Sequence, residues 1–165
     1  MREISGETFT SISSFITGLN KEQMTEFFNR QKEKQLYVHS YIINSAGADA
    51  SLSSKVFANL LFALIMRCFE YEYGELLPIT EESLSEFITE RNEFIVRELK
   101  RNSRKKVVSG IRRIAGQRRF IDNLDWFIDG DKDNPSGFIE SERLNVKITV
   151  YLIVYFLNTE MEKMQ

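Results

Sequence analysis

The stretch VKITVYLIVYFL, residues 146–157, decides the fold class, because its composition and its context favour different structures. Its β-branched and aromatic side chains are typical of a β-strand. No other segment of the sequence reads as a strand that could pair with it, and unpaired strand edges are costly. We therefore predict that this stretch belongs to a buried helix from about Glu140 to Lys163, and that the fold is all-α.

The rest of the sequence shows helical periodicity between start and stop signals. It predicts helices over residues 7–19, 20–43, 51–73, 81–101 and 104–128. The third of these contains VFANLLFALIM, residues 56–66, which is apolar on most faces and is the best candidate for a central helix. The expected architecture is one domain, residues 1–165, built as a bundle of five to six helices around a buried apolar central helix.

Capping residues indicate where several of these helices begin. Ser5 is a candidate N-cap of the first helix, and Thr80 is one of the fourth. Asn20, followed three residues later by Gln23, has the pattern of a capping box. The segment NRQKEKQ, residues 29–35, is polar on all sides, so we expect the second helix to be exposed or bent there.

The composition is that of a soluble globular protein, with 42% hydrophobic and 28% charged residues. The longest apolar runs, residues 56–66 and 148–157, are about half as long as a bilayer-crossing helix requires. The N-terminal stretch carries Glu3 and Glu7, so we do not expect a signal peptide. The single cysteine, Cys68, cannot form a disulfide within the chain, which is typical of a reducing compartment. We therefore expect a cytoplasmic protein without a membrane segment.

The sequence holds few catalytic side chains. His39 is the only histidine and Cys68 the only cysteine, so the usual nitrogen and sulfur ligands of a zinc site are missing. Both residues have apolar neighbours, in LYVHSYI and MRCFE, where packing roles are expected. The sequence contains no Gly-rich phosphate loop and no Glu-x-x-His pair for a di-metal centre. It therefore predicts a non-enzymatic protein without a cofactor.

The segment IDGDKDNPSGFIE, residues 128–140, raises the question of calcium binding. Four carboxylates stand at the spacing of an EF-hand calcium loop: Asp129, Asp131, Asp133 and Glu140. Such a loop needs glycine at its sixth position, where this chain has Asn134, and the Pro135 that follows favours an extended Asn134. The NPSG tetrapeptide also matches a type I turn. We therefore expect a plain turn without a metal, and keep the calcium loop as an alternative.

Charge is distributed unevenly along the chain. Nine basic residues and no acidic residue lie between Lys100 and Arg119, although the net charge of the whole chain is −2. On a continuous helix, Lys105, Arg112 and Arg119 would form one column at seven-residue spacing, with Lys106 and Arg113 beside it. The resulting candidate binding residues are Arg101, Lys105, Lys106, Arg112, Arg113 and Arg119.

Three interpretations of this basic segment compete. Its charges could pair with acids of the same fold, which include Glu82, Glu86, Glu90, Glu93 and the aspartates after Ile121. They could instead bind a nucleic-acid backbone, or dock on an acidic protein surface. We expect a non-enzymatic interaction or regulatory module that binds another protein or forms a homo-oligomer. Nucleic-acid binding through residues 100–119 is the first alternative, and calcium binding at residues 129–140 is the second.

Overall fold

The computed structural model describes residues 3–133 and 135–164, with only the backbone of Met164. These residues form eight α-helices and no β-strand: α1 (Gly6–Thr17), α2 (Lys21–Lys34), α3 (Leu36–Asn44), α4 (Leu52–Tyr73), α5 (Glu81–Leu99), α6 (Arg104–Ile114), α7 (Arg118–Asp129) and α8 (Glu140–Met164). Their one β-type contact is an isolated bridge between Gly130 and Pro135. The predicted all-α fold is confirmed, and the predicted number of five to six helices is too low.

Helix α8 contains the stretch whose composition favours a strand. Nine of its residues between 146 and 157 are buried: Val146, Thr149, Val150, Tyr151, Leu152, Ile153, Val154, Phe156 and Leu157. The helix packs against α3, α4, α5, α6 and α7, so nearly every face of the stretch meets apolar side chains. A helix satisfies its own backbone hydrogen bonds, and burial then outweighs the strand preference of the β-branched residues. The predicted helix is confirmed.

Helix α4 is a second buried helix and packs against α1, α2, α3 and α8. It begins at Ser51, whose Oγ accepts a hydrogen bond from the Ser54 N–H at 3.1 Å, and ends at Gly74, whose φ of 91° suits glycine. Among the described helices, α4 alone is long and apolar enough to cross a membrane. In this fold, 56% of its most apolar 18-residue stretch is buried. Because the core helix of a soluble protein passes the same test, these properties do not identify a membrane span. The expected absence of a membrane segment stays a prediction.

The predicted caps of three helices are present. The Ser5 Oγ accepts from the Thr8 N–H at 3.0 Å, and the Thr80 Oγ1 accepts from the Ser83 N–H at 3.2 Å. At the start of α2, the Asn20 side chain and backbone exchange hydrogen bonds with Gln23, at 2.9 and 3.0 Å. Local signals therefore identify these helix starts correctly.

Two of the predicted helices, over residues 20–43 and 104–128, are each broken, and a buried glutamine lies at each break. The predicted helix over residues 20–43 is α2 and α3, separated at Gln35 within the polar segment expected to be exposed or bent. The Gln35 amide donates to the Leu77 carbonyl at 2.9 Å and accepts from the Ile79 N–H at 3.1 Å. The predicted helix over residues 104–128 is wrong, because Gly116 and Gln117 turn the chain with φ values of 69° and 49°.

The loop before α8 includes Gly137, and a larger residue at this position would displace a neighbouring side chain. A Cβ atom added to Gly137 would overlap the ring of Phe57. That ring is itself held between Phe127 and Phe138, with centroid distances of 5.4 and 6.0 Å. Gly110, within α6, is in open space, because no atom apart from its chain neighbours and the backbone of its own helix lies within 4 Å of the point that its Cβ would occupy. It therefore provides a matched control.

We predict that Gly137→Ala destabilises the protein by about 1–3 kcal/mol, because the new methyl group displaces the Phe57 ring. Gly110→Ala should instead stabilise it by about 0.5–1 kcal/mol, because alanine favours a helix interior. Urea denaturation of the two variants measures both values. A Gly137→Ala variant as stable as the parent would contradict the packing of this loop against Phe57.

Candidate functional site

The corner between α6 and α7 is fixed by Gln117, which is buried and has a left-handed backbone conformation. Its Oε1 accepts from the Ile4 N–H at 2.6 Å. Its Nε2 donates to the Tyr73 hydroxyl at 2.7 Å and lies 3.2 Å from Oδ1 of Asn158. Asn158 in turn donates to the Ala115 carbonyl at 2.6 Å, just before the corner. The corner is therefore joined to the N-terminal segment, to the end of α4 and to α8.

The corner brings the acids of α7 back toward one of the nine cations. Arg112 pairs with Asp122, and its Nε lies 3.2 Å from Oδ2 of Asp125. The second contact is an ion pair by distance, although its angle does not make a hydrogen bond. Asp125 also accepts a hydrogen bond from the Tyr151 hydroxyl and lies 3.7 Å from Nζ of Lys147. Arg112 therefore balances the negative charges of Asp122 and Asp125 within the fold.

Burial raises the pKa of Asp125, and the Tyr151 hydroxyl, Lys147 and Arg112 act in the opposite direction by stabilising its ionised form. Burial also raises the pKa of Tyr151, with a further contribution from Asp125. Without Arg112, the half-buried Asp125 carboxylate would lose one of the positive charges that stabilise its ionised form. We therefore assign Arg112 a structural role, to hold α6 against α7.

The other eight cations of the segment are exposed, and together we name them the basic surface: Lys100, Arg101, Arg104, Lys105, Lys106, Arg113, Arg118 and Arg119. Among the described residues, their side chains form no ion pair and no hydrogen bond. The acids of α5 that could have paired with them do not do so. Internal pairing therefore accounts for Arg112 and leaves the basic surface facing water.

A cavity of about 830 Å³ opens at the corner. Four cations line it, together with small residues that leave the backbone accessible, and one acid: Lys106, Arg112, Arg113, Arg118, Ser109, Gly110, Gly116 and Glu3. Oε1 of Glu3 accepts a hydrogen bond from the Arg119 N–H at 2.7 Å, in the first turn of α7. A carboxylate of the chain itself thus lies at the wall of the cavity, among its cations.

The structure places the predicted binding residues in three segments: α6, α7 and the residues before α6. Lys105, Lys106 and Arg113 lie on one helix, α6, whereas Arg119 lies on α7, so the predicted column through Arg119 is wrong. Arg101 precedes α6 and is exposed. The sequence did not single out Arg118, Glu3 or Gln117. The one local signal for them is Gly116, which is a common residue just past a helix end.

The carboxylates of the predicted calcium alternative are not gathered around a common point. Asp129 pairs with Lys147 at 2.6 Å, and Asp131 accepts from the Asp133 N–H at 2.8 Å and from the Trp126 indole at 3.2 Å. No group of three or more His, Cys, Asp or Glu residues in the described part of the chain is placed to hold a metal. Glu140 begins α8.

The turn predicted at NPSG begins at Asn134, which lies outside the described residues. The loop beyond it is fixed by a serine. The Ser136 hydroxyl donates to the Ile128 carbonyl at the end of α7 and accepts from the Phe138 N–H at 3.0 Å. This hydroxyl thus connects the two ends of the loop.

The histidine and the cysteine have separate structural surroundings. Cys68 is fully buried in α4, and burial raises the pKa of its thiol to about 12. Nε2 of His39 lies 2.7 Å from Oδ1 of Asn59, and its ring packs edge-on against Phe62. A thiol with so high a pKa is almost entirely protonated at neutral pH and is a poor nucleophile.

No family model, curated protein or solved structure matches this chain. Its function is therefore inferred from its own residues.

We predict that Gln117→Ala destabilises the protein by about 2–4 kcal/mol, because the Ile4 N–H and Asn158 lose a buried partner. Gln117→Gly should destabilise the protein by roughly 1 kcal/mol less than Gln117→Ala does, because glycine adopts a left-handed conformation without strain. Urea denaturation gives both values. Equal stability of the parent and the alanine variant would show that the amide does not hold the corner.

Proposed function

We propose that this chain is a non-enzymatic binding module whose basic surface binds the phosphate backbone of a nucleic acid. In this proposal, the eight helices form one bundle around the buried α4. The observation that carries the proposal is the exposure of eight cations that have no partner among the described residues. Cations that do not have to leave an internal ion pair can contact phosphates and release their condensed counterions.

The composition of the exposed face of α6 favours a nucleic acid over an acidic protein. Lys105, Lys106 and Arg113 share this face with Ser109 and Gly110, and none of the five is apolar. Protein interfaces usually centre on apolar or aromatic side chains, whereas nucleic-acid interfaces are more polar and more positively charged. The exposed apolar residue of this helix, Ile114, does not line the cavity. The face therefore suits a row of phosphates better than a protein surface.

The small residues of the same face support close approach. Apart from its chain neighbours and the backbone of its own helix, no atom lies within 4 Å of the position that a Cβ of Gly110 would take, so the backbone of α6 is open to a ligand at that point. Four cations line the adjoining cavity, which has room for a phosphate group. Contacts of this kind fix the position of a backbone but do not read bases, so little sequence preference is expected.

The non-enzymatic part of the proposal is supported by the two side chains best suited to catalysis. The Cys68 thiol is buried and has a raised pKa, and His39 is engaged by Asn59. Neither residue lines the cavity at the corner. A cytoplasmic location remains part of the proposal.

A protein partner or a second copy of the chain is the other candidate function. It is favoured by Trp126 of α7, which is 51% exposed, because tryptophan is enriched at the centres of protein interfaces. Leu77 and Ile139 are also more than 60% exposed. In this case the basic surface would lie at the charged rim and steer an acidic partner.

We predict that the protein binds a mixed-sequence DNA duplex at 50 mM salt, and that affinity falls steeply as salt rises. Five phosphate contacts would give a slope of about −4 to −5 in a plot of log affinity against log salt. The double variant Lys106→Glu with Arg113→Glu should lose at least about tenfold in affinity and reduce the slope by about two. Fluorescence anisotropy measures both quantities.

The matched control is Lys55→Glu with Lys132→Glu, which changes the net charge equally at two exposed lysines away from the basic surface. It should lower affinity much less. Failure of the parent protein to bind at 50 mM salt, or equal losses in the two double variants, would remove the basis for nucleic-acid binding. Circular dichroism checks that both variants are folded.

A further inference from the structure

A second cavity, of about 640 Å³, lies between α2 and α4 and next to α3. Its apolar wall comes from Met24 and Phe28 of α2 and from Val56 and Leu60 of α4. These four side chains are exposed or half-buried, so they are open to a ligand. The volume falls within the range typical of small-molecule sites, which are mostly apolar with a few polar groups.

This groove exists because α2 contributes little to the core. Gln31 is the buried residue of α2 in the described structure, and its amide Nε2 lies 3.3 Å from Glu70. Met24 and Phe28 lie one turn apart on the same face of α2 as Gln31, and both line the gap toward α4. A helix that presents apolar side chains to an open groove leaves apolar area that a ligand can cover.

The charge of the groove is positive. Lys21 and Lys32 line it, no acidic residue lines it, and neither lysine forms an ion pair among the described residues. Lys32 stands eleven positions after Lys21 in the helix, which is about 16 Å along the axis. The groove is therefore elongated, apolar along its length and cationic at both ends.

His39 and Asn59 form a hydrogen-bonded polar pair in the wall of the groove. Asn59 donates through Nδ2 to the Lys55 carbonyl at 3.0 Å, so its Oδ1 accepts from Nε2–H of His39 at 2.7 Å. Burial lowers the pKa of His39, so the ring is neutral at neutral pH and the positive charge of the groove comes from the lysines. Besides this pair, the wall of the groove also includes the polar residues Thr17, Thr25 and Asn29.

We propose that this groove binds a small amphipathic organic anion, with an apolar body along Met24, Phe28, Val56 and Leu60 and its carboxylate beside Lys21 or Lys32. Charge complementarity selects the anion, because two lysines without partners meet no competing carboxylate. The apolar wall selects an acyl or aromatic body over a sugar or a nucleotide. The site is separate from the basic surface and does not depend on the nucleic-acid proposal.

The test uses dodecanoate and its cationic counterpart, dodecyltrimethylammonium, in calorimetric titrations below their micellar concentrations. Dodecanoate should bind with a stoichiometry of one per chain and about tenfold more tightly than the cation. Equal affinity for the two amphiphiles, or binding of several dodecanoate molecules per chain, would overturn the proposal.

Two variants locate the site. Lys21→Gln with Lys32→Gln should weaken dodecanoate binding about fivefold, whereas Lys105→Gln with Lys132→Gln, which removes the same charge at two exposed lysines outside the groove, should leave it unchanged. Val56→Trp, at a position that is 50% exposed, should fill the groove and reduce binding about tenfold or more without unfolding the protein. Binding that persists unchanged in Val56→Trp, or that falls equally in both lysine pairs, would also overturn the proposal.

Discussion

The side-chain amide of Gln117 is the contact on which the basic corner depends. It joins the Ile4 backbone, the Tyr73 hydroxyl and Asn158, which come from three different parts of the chain. The hydrogen bonds to Ile4 and Asn158 are buried and the one to Tyr73 is partly buried, and together they offset the cost of the left-handed conformation of Gln117 itself. The resulting turn directs α7 back along α6, so that Asp122 and Asp125 meet Arg112. The same turn leaves the side chains of the neighbouring cations without an ion pair among the described residues, and it opens the cavity at the corner.

Gln35 has the same physical role at the other break. Its amide satisfies the Leu77 carbonyl and the Ile79 N–H, two backbone groups of the segment that links α4 to α5. A buried backbone group without a partner is costly, so a linker that lies against the core needs such a donor and acceptor. At both breaks the helix ends, and the side chain of one glutamine forms hydrogen bonds with a segment that is distant in sequence. The consequences differ, because the break at Gln35 helps to form an apolar groove and the break at Gln117 a basic surface.

The sequence predicted the features that depend on local signals. Ser5, Asn20 and Thr80 begin helices because their side chains bond to nearby backbone N–H groups, which requires nothing from the rest of the chain. The helical state of residues 146–157 followed from the absence of a strand to pair with. The corner at Gln117 could not be predicted, because apolar residues continue at helical spacing across it, at Ile111, Ile114 and Ile121, and its partners are distant in sequence. The nine cations could be read from the sequence. The sequence could not show that, of the nine, it is Arg112 that pairs with Asp122 and Asp125.

The central claim is that the lysines of the basic surface face water and are free to bind an anion. Acylation of lysines, followed by mass spectrometry, measures the reactivity of each amine in the folded protein. Lys100, Lys105 and Lys106 should react as fast as the exposed Lys55 and faster than Lys147, which pairs with Asp125 and Asp129. Addition of a DNA duplex should protect the first three and leave Lys55 unchanged. Rates for Lys105 and Lys106 as slow as that of Lys147 in the free protein would show that they are paired within the fold and would contradict this account.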